Sequence, residues 1–534
     1  MKRFVFTALA SFLSCYQLIP SASALPAVGV RAQAVDVLST DLKPATPVKS
    51  YPSQPVISGP DRKQGWSFTF KLPGSGAPSA TGVLLLNFAT PPEMPAKSLA
   101  CEVYLLDGLP AEGALTTSNE AFLGSAIASI NPKDAHCAVM LEAQKPFLTP
   151  GQTVHLLMIP IGDPGKSPPL ALNAAPVLAI VPQGPAIGDS MQLLWTGERT
   201  ADESVVFFRS KPSDIAEATL LHKPRKIERV YSYFTGTAYA EGVDWKLTEK
   251  GTLVAPHGSS IKVTSDEELH PTGKTIGRVF KTNSGRILSS IEGWNRDRDV
   301  WVTYTHDNDW QGPIPAFAEK ELPRTLAMLR AKKPLKLVVY GDSISEGAGA
   351  TGRGSQPPYL LPWANLIAAD LRAHYRAPVT MVNRALGGAS ARWGAENAAT
   401  LVEPEAPDLC IIAFGMNDRG GNVPVSLFMN QIEEIMKAAR AGNPSVEFIL
   451  VSSMRNNPEW GPTQPLLDYR DAMLKMQGPG VGVADMTACH ETLLKKKPFI
   501  DMSSNNVNHP NDYLVRWYAQ VIAALLVPSP APAQ

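Results

Sequence analysis

The strongest constraint on the fold is a change of pattern after Pro334, where largely apolar runs of strand length begin to alternate with helix-length segments. The predicted strands lie at 335–340, 379–382, 409–414, 446–451 and 481–484. Apolar residues recur at three- and four-residue spacing at 360–375 and 425–440, and a last helix is predicted at 512–526. Buried strands joined by helices predict a doubly wound, mostly parallel α/β sheet over residues 334–527.

The preceding part of the chain has a different pattern, in which short apolar runs such as 82–87 are broken by proline and glycine. Alternation at period two with frequent turn residues predicts antiparallel β structure. A proline-rich stretch at about 159–187 predicts a connection. We therefore predict one β-rich module with its linker at 25–190 and a second β-rich module at 191–333, so that the 534 residues form about three domains.

The N-terminus has the pattern of a secretory signal peptide, with basic residues, an apolar run at 4–13 and a small-x-small motif ending at Ala24. We predict a signal peptide at 1–24 and a secreted or periplasmic protein; lipid attachment at Cys15 is the alternative. Residues 528–534 form a Pro/Ala tail. No later stretch has the roughly 18 unbroken apolar residues of a membrane span, so no integral membrane segment is predicted after cleavage.

Overall charge and motif content exclude several classes of function. The 49 basic and 49 acidic residues balance, which gives no electrostatic indication of a nucleic-acid partner. The chain contains no H-E-x-x-H, no Walker phosphate loop and no paired C-x-x-C, so neither a metal nor a cofactor is predicted. Cys101 and Cys137 lie in one strand-rich region and could form a disulfide in an oxidising compartment, whereas Cys410 is predicted to be a buried thiol.

A serine follows the first predicted strand of the α/β domain, within Gly341-Asp342-Ser343. The carboxyl end of a strand is where such folds expose catalytic groups. The triplet alone is weak evidence, because Gly188-Asp189-Ser190 repeats it in the proline-rich region without a strand or helix around it. We interpret that second copy as a chance turn.

The segments that follow the later strands carry groups suited to acyl transfer. Gly388 comes five residues after Asn383, Asn417 follows the third strand, and His509 precedes the last helix. A glycine N–H and an asparagine amide can donate to an oxyanion, and a histidine can take the proton of a serine hydroxyl. The ordered set indicates a serine nucleophile with its base and oxyanion donors.

These residues resemble, in order and spacing, the conserved blocks of the SGNH (GDSL-type) hydrolase superfamily, which includes lipases, acetylesterases and carbohydrate esterases. The resemblance covers about residues 334–527 and implies a flavodoxin-like fold. It implies that Ser343 is the nucleophile and His509 its base, and that Ser343, Gly388 and Asn417 form the oxyanion hole. Within the second β-rich module, residues from about 200 to 330 resemble β-sandwich units that precede such domains in some carbohydrate esterases; the motifs that carry this resemblance start at Leu220, Tyr239 and Gly258. Within the first module, residues from about 45 to 165 are similar to a jelly-roll module.

One position departs from the family pattern. The acidic partner of the histidine usually stands three residues before it, where this chain has Asn506. An amide can orient an imidazole but cannot offset its positive charge. Three alternatives remain: a Ser-His dyad steadied by a backbone carbonyl, a carboxylate from elsewhere such as Asp501 or Asp485, or an impaired enzyme.

The predicted substrate is an acylated carbohydrate or another small ester, and acetyl is the predicted acyl group. The alternatives are a lipase or lysophospholipase, and a carbohydrate-binding protein that has lost activity. Arg392 and Trp393 could line the substrate pocket or pack. Several tryptophans of the β-rich half could stack on sugar rings, although core packing is the expected use of most of them: Trp245, Trp294, Trp301 and Trp310.

Overall fold

A computed structural model describes residues 31–32, 66–72, 74, 78–89, 97–106, 122–130, 136–143, 146–161, 171–172, 177–180, 193–273, 278–290, 293, 297–307, 310–354 and 356–528. Several predicted features lie outside these residues: the signal peptide, Cys15, Gly188-Asp189-Ser190, Trp294 and the tail beyond residue 528. None of the helices in the described ranges combines the length and apolar composition that crossing a bilayer requires.

The first β-rich module is built from two antiparallel sheets. Its strands are β1 (Arg31–Ala32), β2 (Trp66–Lys71), β3 (Thr81–Ala89), β4 (Lys97–Leu106), β5 (Phe122–Ile130), β6 (His136–Glu142), β7 (Thr153–Ile161), β8 (Ala171–Leu172) and β9 (Val177–Ile180). One sheet has the order β1-β9-β3-β6, with β8 also paired to β3, and the other has the order β2-β7-β4-β5. Leu84 and Val139 of the first sheet share a core with Val103 and Leu156 of the second.

Cys101 on β4 and Cys137 on β6 belong to this core, one from each sheet, and both are buried free thiols in the structure. A hydrogen bond with Cys101, together with burial, raises the pKa of Cys137 well above its usual value. Cys410 is a buried thiol as well, and burial raises its pKa to about 12.

The middle β-rich module contains β10 (Arg199–Val206), β11 (Phe208–Arg209), β12 (Ala216–Ala218), β13 (Pro224–Ser232), β14 (Lys246–Leu247), β15 (Leu253–Ala255), β16 (Thr264–Ser265), the short helix α1 (Asp266–Leu269), β17 (Arg278–Lys281), β18 (Ile287–Ser290) and β19 (Asp299–His306). They form the sheets β10-β19-β13 and β14-β15-β12-β11-β16 and the hairpin β17-β18. Val205, Phe207 and Val302 are fully buried between the two larger sheets.

The C-terminal domain has five parallel strands, β20 (Leu335–Gly341), β21 (Val379–Asn383), β22 (Leu409–Ala413), β23 (Glu447–Val451) and β24 (Val481–Ala484), in the order β21-β20-β22-β23-β24. Its helices are α2 (Pro323–Arg330), α3 (Ser343–Glu346), α4 (Trp363–Tyr375), α5 (Ala391–Leu401), α6 (Met416–Gly420), α7 (Val425–Gly442), α8 (Gln464–Leu474), α9 (Met486–Leu494) and α10 (Asp512–Ala523), with short 3-10 helices at Glu403–Glu405 and Phe499–Met502. This order is that of flavodoxin-like sheets, and the predicted fold class is confirmed.

Helix α2 lies before the predicted start of this domain yet packs on its core. Leu322, Leu326 and Leu329 are buried in the same core as the parallel sheet. The Glu447 carboxylate of β23 accepts the N–H groups of Arg324 and Thr325. The anionic side chain thus satisfies the free N–H groups at the positive end of the helix.

Every residue of α10 is buried, because the helix lies between the parallel sheet and the middle module. Trp517 packs on Trp195, with ring centroids 5.9 Å apart. Gln520 accepts a hydrogen bond from the Leu194 N–H at 2.8 Å, and Arg516 donates to the Asp202 carbonyl at 2.9 Å. The middle module and the C-terminal domain therefore share one core.

Candidate active site

Ser343 begins a single helical turn directly after β20 and is partly exposed. Asp342 precedes it and accepts a hydrogen bond from the Ile344 N–H at 3.0 Å, which caps the turn. Gly341 has no room for a side chain, because a Cβ there would lie 2.4 Å from the Ser345 hydroxyl. The G-D-S triplet is thus a tight strand-to-helix turn that presents Ser343 at the carboxyl end of β20.

His509 lies on a hairpin-like loop between the last 3-10 helix and α10. The Asn511 N–H donates to the Met502 carbonyl and the Ser504 N–H to the His509 carbonyl, both at 3.0 Å, which closes the loop. The imidazole is buried, and its Nε2 lies 2.9 Å from the Ser343 hydroxyl oxygen. The structure therefore brings together the two residues predicted as nucleophile and base, at hydrogen-bond distance.

Asn505 organises this loop, a role that the sequence analysis missed. Its side-chain oxygen accepts hydrogen bonds from the N–H groups of Val507, Asn508 and His509, each at 3.0 Å. The asparagine-rich run before the histidine was the available signal, because asparagine side chains readily bond to nearby backbone groups in turns.

The three predicted candidates for the third catalytic member have other partners. Asn506 has φ of 58° and its side chain accepts a hydrogen bond from the Asn457 amide at 3.2 Å. Asp501 accepts from the Val206 N–H at 2.9 Å and lies 3.2 Å from the Lys497 ammonium. Asp485 caps α9 and pairs with Arg470 at 2.6 Å. Both carboxylates are thus committed to cations elsewhere.

The candidate oxyanion donors lie on two loops that are joined to each other. Gly388 has φ of 78°, in the region that favours glycine. Asn417, at the start of α6, uses one amide N–H to donate to the Ala389 carbonyl at 2.8 Å. The amide has a second N–H for a ligand. Asn383 ties the same loop to the serine turn by donating to the Ser345 carbonyl at 2.9 Å.

Two buried carboxyl groups brace these loops. The Asp418 side chain accepts the Ala391 N–H at 3.0 Å, and burial raises its pKa to about 6. Burial likewise raises the pKa of Asp342 to about 7, although the Ile344 N–H and His509 act in the opposite direction. Their contacts to backbone N–H groups explain why acidic residues occupy buried positions next to the site.

Arg392 and Trp393, suggested as pocket residues, each make a side-chain contact on α5 or with the sheet. Arg392 is exposed and pairs with Glu396 one turn along α5 at 2.8 Å. The Trp393 ring packs on Tyr340, with centroids 5.7 Å apart. Both contacts follow from positions on a helix that turns one face to solvent and the other to the sheet, and the suggested pocket role of the two residues stays a prediction.

The tryptophans of the middle region that the structure describes are core residues. Trp245, Trp301 and Trp310 are all buried, which removes them from the set that could stack on sugar rings.

A cavity of about 550 Å³ lies between the first β module and the C-terminal domain. Its lining includes Glu142, Arg372 and Asn365, whereas Ser343 and His509 do not line it.

Among the residues with described positions, no group of three or more His, Cys, Asp or Glu side chains is arranged to hold a metal ion.

Comparison with protein-family models assigns part of this chain. Residues 339–514 match the GDSL-like Lipase/Acylhydrolase family, and this segment contains Ser343, Gly388, Asn417 and His509. The segment is a GDSL-like acylhydrolase domain. The match covers about a third of the chain and identifies the C-terminal domain as a serine ester hydrolase domain. No curated protein matches the sequence.

Solved structures that are similar to part of this chain share little sequence with it. They include an acetyl xylan esterase from Geobacillus stearothermophilus (17% identity, TM-score 0.30, 37% of this chain and 97% of that one). A two-domain esterase active on acetylated mannans has 17% identity and a TM-score of 0.32, over 40% of this chain and 57% of that one. An α/β hydrolase from the metagenome of Lake Arreo, Spain, has 19% identity and a TM-score of 0.29, over 36% and 96%.

Proposed function

We propose that this protein is an exported esterase that removes acyl groups, most readily acetyl, from carbohydrate by way of a serine-acyl intermediate. The observation that carries the catalytic part is the 2.9 Å contact between the Ser343 hydroxyl and His509 Nε2 at the carboxyl end of β20. The match of residues 339–514 to an acylhydrolase family supports the same chemistry.

In the proposed reaction, His509 takes the hydroxyl proton while Ser343 Oγ attacks the ester carbonyl. The backbone N–H groups of Ser343 and Gly388 and the Asn417 amide stabilise the oxyanion. His509 then gives its proton to the departing alcohol, and the acyl group stays on the serine. Water, activated by the same imidazole, attacks the acyl-enzyme and regenerates the hydroxyl.

A small acyl group is supported by where apolar surface lies. In the described parts of the chain, the most exposed large apolar side chains are Ile215, Val243, Leu247, Val279, Ile314 and Leu427. None of them belongs to the loops that carry Ser343, Gly388, Asn417 and His509. A long acyl chain would require an apolar surface beside the nucleophile. Carbohydrate as the alcohol is proposed from the two β modules that accompany the domain, and export from the N-terminal sequence pattern.

Hydrolysis of p-nitrophenyl acetate by the full chain and by Ser343→Ala tests the catalytic proposal. The variant should lose activity, and equal rates for the two proteins would refute the role of Ser343. Comparing acetyl with octanoyl esters, and then measuring acetate release from acetylated xylan, tests the substrate. A preference for octanoyl esters would favour the lipase alternative. Inactivity of the wild type towards every ester would favour a carbohydrate-binding protein with an impaired site, to which Asn506 would contribute.

A further inference from the structure

Two buried ion pairs connect the β modules to the C-terminal domain. Glu203 of β10 lies 2.5 Å from the Lys497 ammonium, and both side chains are fully buried. Glu102 of β4 lies 2.6 Å from the Arg384 guanidinium, and these side chains are 4% and 0% exposed. Surface ion pairs tolerate many geometries, whereas buried charges require one defined arrangement with their remaining bonds satisfied.

The first pair has further polar partners, one of which is the Asp501 carboxylate, 3.2 Å from the Lys497 ammonium. The two oxygens of Glu203 accept hydrogen bonds from the Leu221 N–H at 2.8 Å and the Tyr304 hydroxyl at 2.6 Å. Lys497 also donates to the Thr219 carbonyl at 3.2 Å. The middle module thus surrounds a lysine that belongs to the C-terminal domain.

Strand β10 contacts the base of the His509 loop at the residues next to Glu203. The Asn511 amide donates to the Ser204 hydroxyl at 3.1 Å, and the Val206 N–H donates to the Asp501 carboxylate at 2.9 Å. Asn511 itself donates the closing hydrogen bond to the Met502 carbonyl, and Asp501 directly precedes Met502. The position of this strand therefore fixes the base of the loop that carries the histidine.

The second pair lies at the loop that carries Gly388. Arg384 is bound between Glu102 and Glu405, the latter at 2.7 Å. The Ser125 hydroxyl of β5 bonds to both the N–H and the carbonyl of Asn383. The first module thus holds the two residues from which the oxyanion loop starts.

We propose that Glu102 and Glu203 are positioning residues for the ester hydrolase site: Glu203 sets His509 through Lys497 and β10, and Glu102 sets the Gly388 loop through Arg384. This inference rests on the proposed function of Ser343 and His509. Displacing a catalytic group by about 1 Å can cost about 100-fold in rate, even when the change is far from the reacting atoms. Both modules are then parts of the catalytic unit.

Glu203→Gln and Glu102→Gln, made in the full chain, test the proposal. Steady-state kinetics with p-nitrophenyl acetate would be measured across pH, and the active serine would be titrated with a fluorophosphonate. Each variant should lose roughly 10- to 100-fold in kcat with little change in KM.

Glu228→Gln is the matched control, since Glu228 pairs with Arg199 at 2.8 Å on the exposed surface of the same module. It should keep wild-type kinetics. If a glutamine variant does not fold, two serine variants replace it. Ser204→Ala removes the hydroxyl that accepts the Asn511 amide, and Ser125→Ala removes the hydroxyl that bonds to the Asn383 backbone. Each should lower kcat in the same way as the glutamine variant of its module.

Two results would overturn parts of the reasoning separately. Wild-type kcat for both glutamine variants, or for both serine variants, would assign the modules a structural role only, while Ser343→Ala remained inactive. Full activity of Ser343→Ala would instead refute the proposed function.

Discussion

Asn417→Ala should impair catalysis far more than folding. The proposed oxyanion site has three donors, the N–H groups of Ser343 and Gly388 and the Asn417 amide. The loss of one such donor typically costs about 10²- to 10³-fold in kcat, or about 2.7–4 kcal/mol of transition-state stabilisation. The variant also loses the 2.8 Å bond to the Ala389 carbonyl, which contributes about 1 kcal/mol to stability.

The assay is p-nitrophenyl acetate hydrolysis, with kcat and KM measured on protein whose active serine has been titrated. KM should change little, because the oxyanion forms only in the transition state. Asn397→Ala is a matched control, since the Asn397 amide donates to the Trp393 carbonyl at 2.8 Å within α5. A kcat for Asn417→Ala that equals the control would refute the assignment of the amide to the oxyanion site.

Two substitutions and one oxidation should each change the stability of the protein in a measurable way. Burial holds the pKa of Asp342 at about 7 in the folded protein, against about 4 unfolded, so the folded state binds the extra proton and stability falls as pH rises between these values. Asp342→Asn should remove this pH dependence. Measured by thermal unfolding, the stability of the variant relative to wild type should therefore rise from pH 5 to pH 8. A stability difference that stays constant over this range would contradict the raised pKa of Asp342. Arg384→Met leaves a buried carboxylate unpaired and should cost about 3–5 kcal/mol in urea unfolding, whereas Arg199→Met, at an exposed pair, should cost at most about 1 kcal/mol. Oxidation should join Cys101 to Cys137 across the two sheets and stabilise the first module by about 4 kcal/mol. Reduction should then lower the melting temperature. A free-thiol count that does not change on oxidation would refute this prediction.

The sequence predicted the C-terminal fold because its signals are local. Buried parallel strands give continuous apolar runs, and the amphipathic helices between them repeat at helical spacing. Gly388, Asn417 and His509 could be found because each follows a predicted strand or precedes a predicted helix, at a spacing that a known superfamily shares. The roles assigned to them remain proposals, but the structure places Ser343 and His509 at bonding distance.

The features that escaped prediction depend on distant parts of the chain. Glu203 and Lys497 are 294 positions apart, and Glu102 and Arg384 are 282 apart, so no periodicity connects them. A charged residue in a strand is normally expected to face solvent. Helix α2 was missed because its apolar face is short and the sheet that covers it comes later in the sequence.

The complete burial of α10 has a consequence for the order of folding during synthesis. The last strand of the middle module ends at His306, whereas α10 begins at Asp512. About 200 residues must be added in between, which takes on the order of 10–40 s at about 5–20 residues per second. Throughout that time the surface around Trp195 has no helix to cover it. The middle module should therefore depend on chaperones or remain incompletely folded until α10 emerges, and it should not be transferable to another protein as an independent unit.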